Sequence, residues 1–378
     1  MRAFAFIFLL LLLAALPARL AAQMVDSVGV DTLNERPVKK FMKKAKKKMK
    51  EQVRDLDRAD SLYIEPNHYD WTLMVQNTNF YQVFALIGRT DDGTRQTIEF
   101  AQKPSYKVGP YIGWRWIFLG YTFDLSRLSH AANRTEASLS IYSKRLGGDI
   151  VFIKNSGDFT IRRTTGFDGV ERKQFKGTSF SGMSTYTMNI NAYYVFNHHH
   201  FSYPAAYNQS TVQKRSAGSG ILGFRYDHQR LNFEHTQLPS TLIDQLCDEL
   251  QFSHISYRNY SICGGYAYNW VFARNWLFAV SLTPAIGIKK MSGEKLSGAE
   301  IANHFKNFNV DFVARAGLVW NTQKYFAGVS LVSHLYDYRR DQLSIANSVN
   351  YLNTYAGFYF GDKKKIKARR HRRRNASK

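Results

Sequence analysis

Few residues in this chain are equipped for chemistry, and most of them sit on extended runs. His254 and Ser256 stand two apart, so on a strand both side chains point to one face. Outer-membrane lipid hydrolases place a His/Ser pair this way, facing lipid, and His254 shares parity with Tyr260, Ile262, Tyr266 and Tyr268. A nucleophilic Ser needs a base in hydrogen-bond reach and a third group that orients the base; the sequence names no third group. His200 and Ser202 repeat the spacing. His198, His199 and His200 suggest a metal, yet neighbours on a strand face opposite ways, so only His198 and His200 share a side. With no acid or Cys near them in the sequence, a polar turn at the membrane boundary is the plainer reading. Cys247 and Cys263 can bridge in an exported chain, but their spacing does not require it. No Gly-rich phosphate loop, paired-carboxylate motif or Cys-x-x-Cys occurs. The expectation is a non-enzymatic chain without metal or cofactor; the alternative is a lipid-modifying hydrolase using His254 and Ser256.

Charges within the extended runs are more informative. Lys107, Arg115, Asp124 and Asp149 fall on or near the polar parity of their runs, as do Arg225, Asp227, Asp311 and Arg315. Charge held against lipid at mid-depth is costly, so these residues are expected to line a lumen. There they either pair and plug the interior or border a narrow polar channel.

The elements that position them follow from a period of two. In 309–320 the even positions Val310, Phe312, Ala314, Ala316, Leu318 and Trp320 are apolar, and Asn309, Asp311 and Arg315 oppose them. The same alternation runs through 185–196, 276–288, 325–335 and 351–360. About ten alternating residues are what a tilted strand needs to cross a bilayer. Alternation alone does not distinguish a soluble sandwich from a membrane barrel. The aromatic content of 15%, with 23 Tyr and 27 Phe, favours the barrel. Ala273-Arg274-Asn275, Asn321 to Lys324 and Trp114-Arg115 read as tight turns, alternating with longer polar loops at 156–183, 235–254, 289–307 and 337–348. Loop 197–218 breaks this alternation, because parity places its length on the side of the short turns.

Candidate strands are 72–86, 95–101, 105–113, 115–124, 136–144, 148–156, 184–197, 218–234, 255–271, 276–288, 308–320, 325–336 and 349–361. That is an odd number, and single-chain bacterial barrels have even counts. The expectation is an all-β, antiparallel transmembrane β-barrel of about twelve strands, ten to fourteen being admissible, with 72–86 the segment to doubt. At twelve strands a barrel lies near the boundary between a filled and an open interior.

The ends differ from the body. Residues 1–22 have a positive start, an apolar core from Phe4 to Leu16 and small residues at Ala21-Ala22, the pattern of a secretory signal peptide. Within 23–62, a lysine-rich segment places Val38, Phe41, Met42, Ala45, Met49, Val53 and Leu56 on one helical face. This short basic amphipathic helix suits an anionic membrane surface, a periplasmic anionic polymer or protein, or a solvated spacer. The net charge of +23 concentrates in Lys39–Arg58 and the tail 362–378, chiefly Lys363–Lys378, and leaves the body at 63–361 nearly neutral. A nucleic-acid partner is not expected of an exported chain charged in this way; outer-membrane lipid is.

Two blocks carry a family resemblance. Tyr63-Ile64-Glu65-Pro66-Asn67-His68-Tyr69 runs on to Gln76-Asn77-Thr78-Asn79-Phe80, and Lys107-Val108-Gly109-Pro110-Tyr111-Ile112-Gly113-Trp114 runs on through Arg115-Trp116 to Phe123-Asp124. Together they resemble the DUF4421 family of domains of unknown function, found chiefly in Bacteroidota, over about residues 60 to 361. The resemblance implies an exported, outer-membrane barrel-like protein of unestablished activity. It brings no catalytic residues, and the basic ends lie outside it.

Overall fold

The computed structural model describes residues 59–362 apart from 104, 115–116, 121–122, 125–132, 144, 157–158, 296–299, 302–306 and 341–342. The signal segment, the basic helix up to Arg58, the tail from Lys363 and Arg115 lie outside the described residues.

Nearly all the rest is strand. The first part holds β1 (Ile64–Pro66), β2 (Tyr69–Arg89), β3 (Arg95–Gln102), β4 (Ser105–Trp114), β5 (Ile117–Gly120), β6 (Phe123–Asp124) and β7 (Asn133–Tyr142). Then come β8 (Leu146–Ser156), β9 (Phe159–Thr165), β10 (Ser179–Phe180), β11 (Met183–Val195), the one-turn helix α1 (Tyr203–Tyr207), β12 (Thr211–Gln213) and β13 (Ala217–Phe233). After α2 (Ser240–Ile243) follow β14 (Phe252–Ala273), β15 (Trp276–Lys295), β16 (Glu300–Ile301), β17 (Asn307–Asn321), β18 (Tyr325–Arg340) and β19 (Leu343–Asp362). They close into one antiparallel barrel, with β1 and β12 as a separate two-stranded ladder.

Several segments are parts of one strand. β3 and β4 both pair with β2, the first from Arg89↔Arg95 to Val83↔Ala101 and the second from Phe80↔Ser105 to Trp71↔Trp114. The candidates 95–101 and 105–113 therefore merge, while 72–86, the doubted segment, is a complete wall strand. Pro104 between the halves has no N–H to give to a ladder, so the alternation reads as two pieces. β8 and β9 likewise continue one another, as do β10 and β11. Near the end carrying both Tyr69 and Asp362, which pair, the described strands form twelve staves. Towards the other end β3 pairs directly with β9, so the hairpin from β5 to β7 drops out and ten remain.

Three expected loops are in good part strand, β15 for one continuing to Lys295 within 289–307. β9 occupies part of 156–183, and β18 and β19 stay paired to Arg340↔Leu343 within 337–348. A polar stretch can leave the bilayer without leaving its ladder. β14 has 22 residues, roughly 70 Å of strand at ~3.3 Å each. Tilted by ~40°, that is about twice the ~25 Å apolar band of a membrane barrel.

The apolar face changes side along the strands. In the half near the termini, β14 turns Tyr260, Ile262, Tyr266, Tyr268 and Trp270 outward and exposed, and buries Asn259 and Ser261 inside. Beyond Tyr260 the pattern inverts, so that Ile255 and Tyr257 are buried inside while Arg258 is exposed. β13 repeats this, with Phe224 outside and Arg225 inside, then Arg230 outside and Leu231 inside. The lower half is built for hydrocarbon outside and polar groups inside. The upper half is built like a water-soluble protein, around one apolar core.

Aromatic rings mark both edges of the outer apolar belt. At the edge near the termini Trp71 stacks on Phe360 at 6.2 Å and Phe272 lies 6.2 Å from Trp276. At the other, Tyr226 packs on Tyr260 at 5.0 Å and Phe152 on Tyr186 at 5.2 Å. From Tyr260 to Trp270 is roughly ten residues, or ~25 Å of tilted strand, the height of a bilayer-spanning band. Two of the three predicted tight turns are present, closed by Asn275 (φ 66°) and Gln323 (φ 70°); the third, at Trp114-Arg115, reaches outside the described residues.

Candidate functional site

The interior is filled in three layers. Nearest the termini, the loop between β11 and β13 folds into the lumen, which explains the length that parity could not. The residues Tyr203, Pro204, Ala205 and Ala206 of α1 are buried. Tyr359 donates its hydroxyl to the Gln209 carbonyl at 2.6 Å, and Gln209 Nε2 donates to Tyr355 Oη at 2.7 Å. The plug is stitched to the entering chain by the β1–β12 ladder.

The middle layer is charged and hydrogen-bonded. Arg315 Nη2 lies 3.6 Å from Asp149 Oδ2, and its guanidinium sits over the rings of Tyr203 and Tyr207 at 5.7 and 5.8 Å. Lys289 Nζ lies 2.9 Å from Asp311 Oδ1, and Asn259 Nδ2 donates to Asp311 Oδ2 at 2.8 Å. Asn189 donates to Asp227, beside buried Arg225. A polar cavity of about 210 Å³ lies among Asn189, Asn191, Arg225, Arg315, Tyr207 and His334. Above it a chain of hydrogen bonds crosses the lumen. Tyr257 on β14 donates to Gln229 on β13, Asn347 on the far wall donates to Gln229 Oε1 at 3.1 Å, and Gln82 Nε2 donates to Asn347 Oδ1 at 3.1 Å.

The third layer is the apolar core of the upper half. Phe84, Phe100, Phe159, Phe233 and Ile345 meet Leu238, Leu242, Leu246 and Leu250, which the loop between β13 and β14 turns inward.

Of the charges singled out by parity, Lys107, Asp149, Arg225, Asp227 and Asp311 are buried inside, and Arg315 is nearly so. Asp124 stands opposite Lys107 in the ladder, and Arg115 lies outside the described residues. Sequence reasoning missed Lys289. It keeps the inward parity of β15 but falls one residue past the stretch 276–288. It also missed the plug residues, whose irregular backbone carries no period.

The His254–Ser256 pairing does not form. His254 turns to Glu294, with Nδ1 3.8 Å from Oε2. The histidine that meets Ser256 is His228 on the adjacent strand, with Nε2 3.2 Å from Oγ. His228 stands opposite Arg258 and Ser256 opposite Arg230, so the two meet on the diagonal, a spacing of ~7–8 Å that a long ring can span. His228 also packs edge-on to Tyr186 at 5.5 Å, and the charges facing it are Arg258 and Arg230. Two guanidiniums oppose the imidazolium that a general base must become.

His198, His199 and His200 sit in the turn that begins the plug loop. His200 bonds Asn197 at 3.2 Å and lies 3.6 Å from Asp60, an acid far away in sequence. Burial first, and the adjacent His199 second, lower the pKa of His198. No group of three or more potential metal ligands occurs among the described residues. Cys247 and Cys263 are both buried and unbridged.

An antiparallel barrel, salt-bridged and plugged within, belted by apolar and aromatic residues without, defines the class: a β-barrel patterned to be solvated by a bilayer. Within that class the chain belongs to the family described as a domain of unknown function, DUF4421, whose model matches residues 58–360. No curated protein matches the chain. Among solved structures it is similar to the outer membrane protease OmpT from Escherichia coli, at 6% identity and a TM-score of 0.34 over 76% of this chain and 97% of that one. It is also similar to the translocator domain of the autotransporter NalP from Neisseria meningitidis, at 10% identity and a TM-score of 0.30 over 84% and 97%. TM-scores this low leave strand number and role to rest on the chain's own residues.

Proposed function

We propose that this protein is a sealed, non-enzymatic outer-membrane barrel that serves as a scaffold rather than a solute channel. The observation that carries the reading is the hydrogen bond from Asn347 to Gln229, which joins opposite walls across the lumen, between the plug below and the apolar core above. Placement in the outer membrane is supported by the belt and its two aromatic edges, and by chain ends that share the end of the tight turns. Export uses the signal peptide at 1–22. The basic segments Lys39–Arg58 and Lys363–Lys378 then lie in the periplasm, where they engage an anionic polymer, a protein or the inner leaflet. The non-enzymatic reading is supported by the surroundings of Ser256, where no acid among the described residues orients His228 and two arginines face it.

Planar-bilayer recording tests the reading. The purified mature chain is expected to give no unitary conductance. A variant with 201–213 replaced by a short Gly/Ser turn is expected to stay silent too, because the middle layer still closes the lumen. Discrete openings from the unaltered protein would sink the scaffold reading and restore the narrow channel. Phospholipid turnover by the same preparation, lost on Ser256→Ala, would make it a hydrolase.

A further inference from the structure

Past the outer aromatic edge, β13, β14 and β15 turn polar residues to the outside: Arg230, Arg258 and Lys290. One sector of the wall does not follow. On β2, Val83 and Ala85 still face outward, beside Leu335 of β18 and the belt residues Val310 and Phe312 of β17, and these residues line one groove of about 790 Å³. Leu335 is 49% and Phe312 40% exposed. The rest of the groove is cationic, formed by Arg162 and Arg163 of β9 and by Arg172, Lys173 and Lys176 of the loop that follows. Five bases face two carboxylates, Glu99 and Asp337, and Arg163 is paired with Glu99.

The loop that bears three of these cations is fastened on both sides. It opens at Gly166 (φ 82°), where a side chain would collide with the Arg95 carbonyl. The Thr164 amide donates to the Arg172 carbonyl at 3.2 Å and the Gly177 amide to the Ile161 carbonyl at 2.8 Å. The Asp168 amide donates to Gln245 Oε1 at 2.6 Å, which ties the loop to the one that fills the apolar core. The backbone that carries these cations is thus already ordered, and that part of the cost of binding is reduced.

A soluble anion makes no use of the apolar floor, and a neutral acyl chain makes none of the bases. A lipid whose headgroup carries phosphate uses both. We propose that the groove binds such a phosphorylated membrane lipid, with acyl chain on Val310, Phe312 and Leu335 and phosphate held by Arg162, Arg172, Lys173 and Lys176. Guanidinium forks match phosphate oxygens two at a time, and ammonium groups add charge. The volume falls within the ~300–1,000 Å³ of single-ligand sites. The groove lies at the end opposite the chain termini, so the lipid belongs to the outer leaflet; this assignment rests on the orientation proposed above.

The test uses the full mature chain in nonionic detergent, with diphosphoryl lipid A as probe and its dephosphorylated form and inorganic phosphate as controls. Arg172→Glu, Lys173→Glu and Lys176→Glu together are expected to weaken lipid A binding about tenfold or more. The dephosphorylated lipid is expected to bind the unaltered chain about tenfold more weakly, and Leu335→Ser to weaken both lipids. Equal binding by the triple variant, or by the dephosphorylated lipid, overturns the proposal. Competition by inorganic phosphate at the concentration of the lipid also overturns it, in favour of a soluble-anion site. Heat-modifiable gel mobility shows separately that each variant is folded. A chain that stays monodisperse without detergent overturns the membrane reading itself.

Discussion

Lys289 and Asp311 lie 2.9 Å apart with side chains only 1% exposed, between the polar cavity and the apolar core. Removing one partner of such a pair leaves a buried charge uncompensated, which costs ~3–5 kcal/mol, whereas replacing both with apolar side chains is often close to neutral. Lys289→Met is therefore expected to destabilise the barrel by that amount in urea-driven unfolding from lipid vesicles. Adding Asp311→Leu is expected to recover most of the loss. A single variant within ~0.5 kcal/mol of the original, the range of ordinary surface changes, would mean that water reaches this layer and the lumen is not sealed there. Parity alone pointed to Asp311, because an acid opposite Val310 and Phe312 has only the interior to face. It also gives Lys289, once the strand is allowed to continue past Ile288. Ser256 shows the opposite limit, since its partner His228 is set by cross-strand register, which spacing along one strand does not contain.

The plug is the element that the two-residue period could not reveal. Its helix is a single turn, its strand three residues long, and its buried groups are satisfied one at a time. Asn269 Nδ2 donates to the Ser202 carbonyl at 2.8 Å, Gln213 Oε1 accepts from the Ser202 amide at 2.9 Å, and Ser202 Oγ meets Thr211 Oγ1 at 2.6 Å. Such an arrangement leaves no hydrophobic rhythm, only an over-long loop on the wrong side. Part of its fastening comes from the chain entering the barrel. Ile64 to Pro66 pair with Gln213 to Thr211, the Asp60 amide donates to the His199 carbonyl at 2.9 Å, and the Lys214 amide donates to the Tyr63 carbonyl at 2.7 Å. Deleting residues 60–66 is thus expected to loosen the plug while the barrel stays closed. With Cys247 and Cys263 replaced by Ala, a Thr211→Cys probe should react with a water-soluble maleimide ~10-fold faster or more after the deletion, as local opening becomes easier. Heat-modifiable mobility should persist. An unchanged rate would show that the wall contacts of Tyr355 and Tyr359 hold the plug unaided.

For the molecule as a whole, the question is which solvent meets the outside of the wall. Alternation announced the strands but not which solvent each face meets, because the apolar side switches from outside to inside part-way along β13 and β14. The candidates 218–234 and 255–271 run past that switch, whereas 148–156 and 325–336 stop where the ladder turns polar, within 156–183 and 337–348. The switch has a physical reading. Below it the outside is hydrocarbon, so apolar residues face out and charges hide within. Above it the outside is water, so the same ladder turns Leu231, Phe233, Ile255 and Tyr257 inward as an ordinary core. β15 allows a direct comparison of the two environments. Leu282 points outward within the belt and is 53% exposed, and Ser292, on the same face, is exposed beyond the switch. Arginine on the lipid face costs ~2–4 kcal/mol at mid-depth and ~0–1 near or beyond the interface. Leu282→Arg is therefore expected to lower folding stability in lipid vesicles by several kcal/mol and Ser292→Arg to leave it nearly unchanged. In a water-soluble barrel both would be surface changes of ~0.5 kcal/mol or less, and Leu282→Arg would improve solubility. Equal, small effects at the two positions would place water around the entire wall, and the two aromatic rows would then need another explanation.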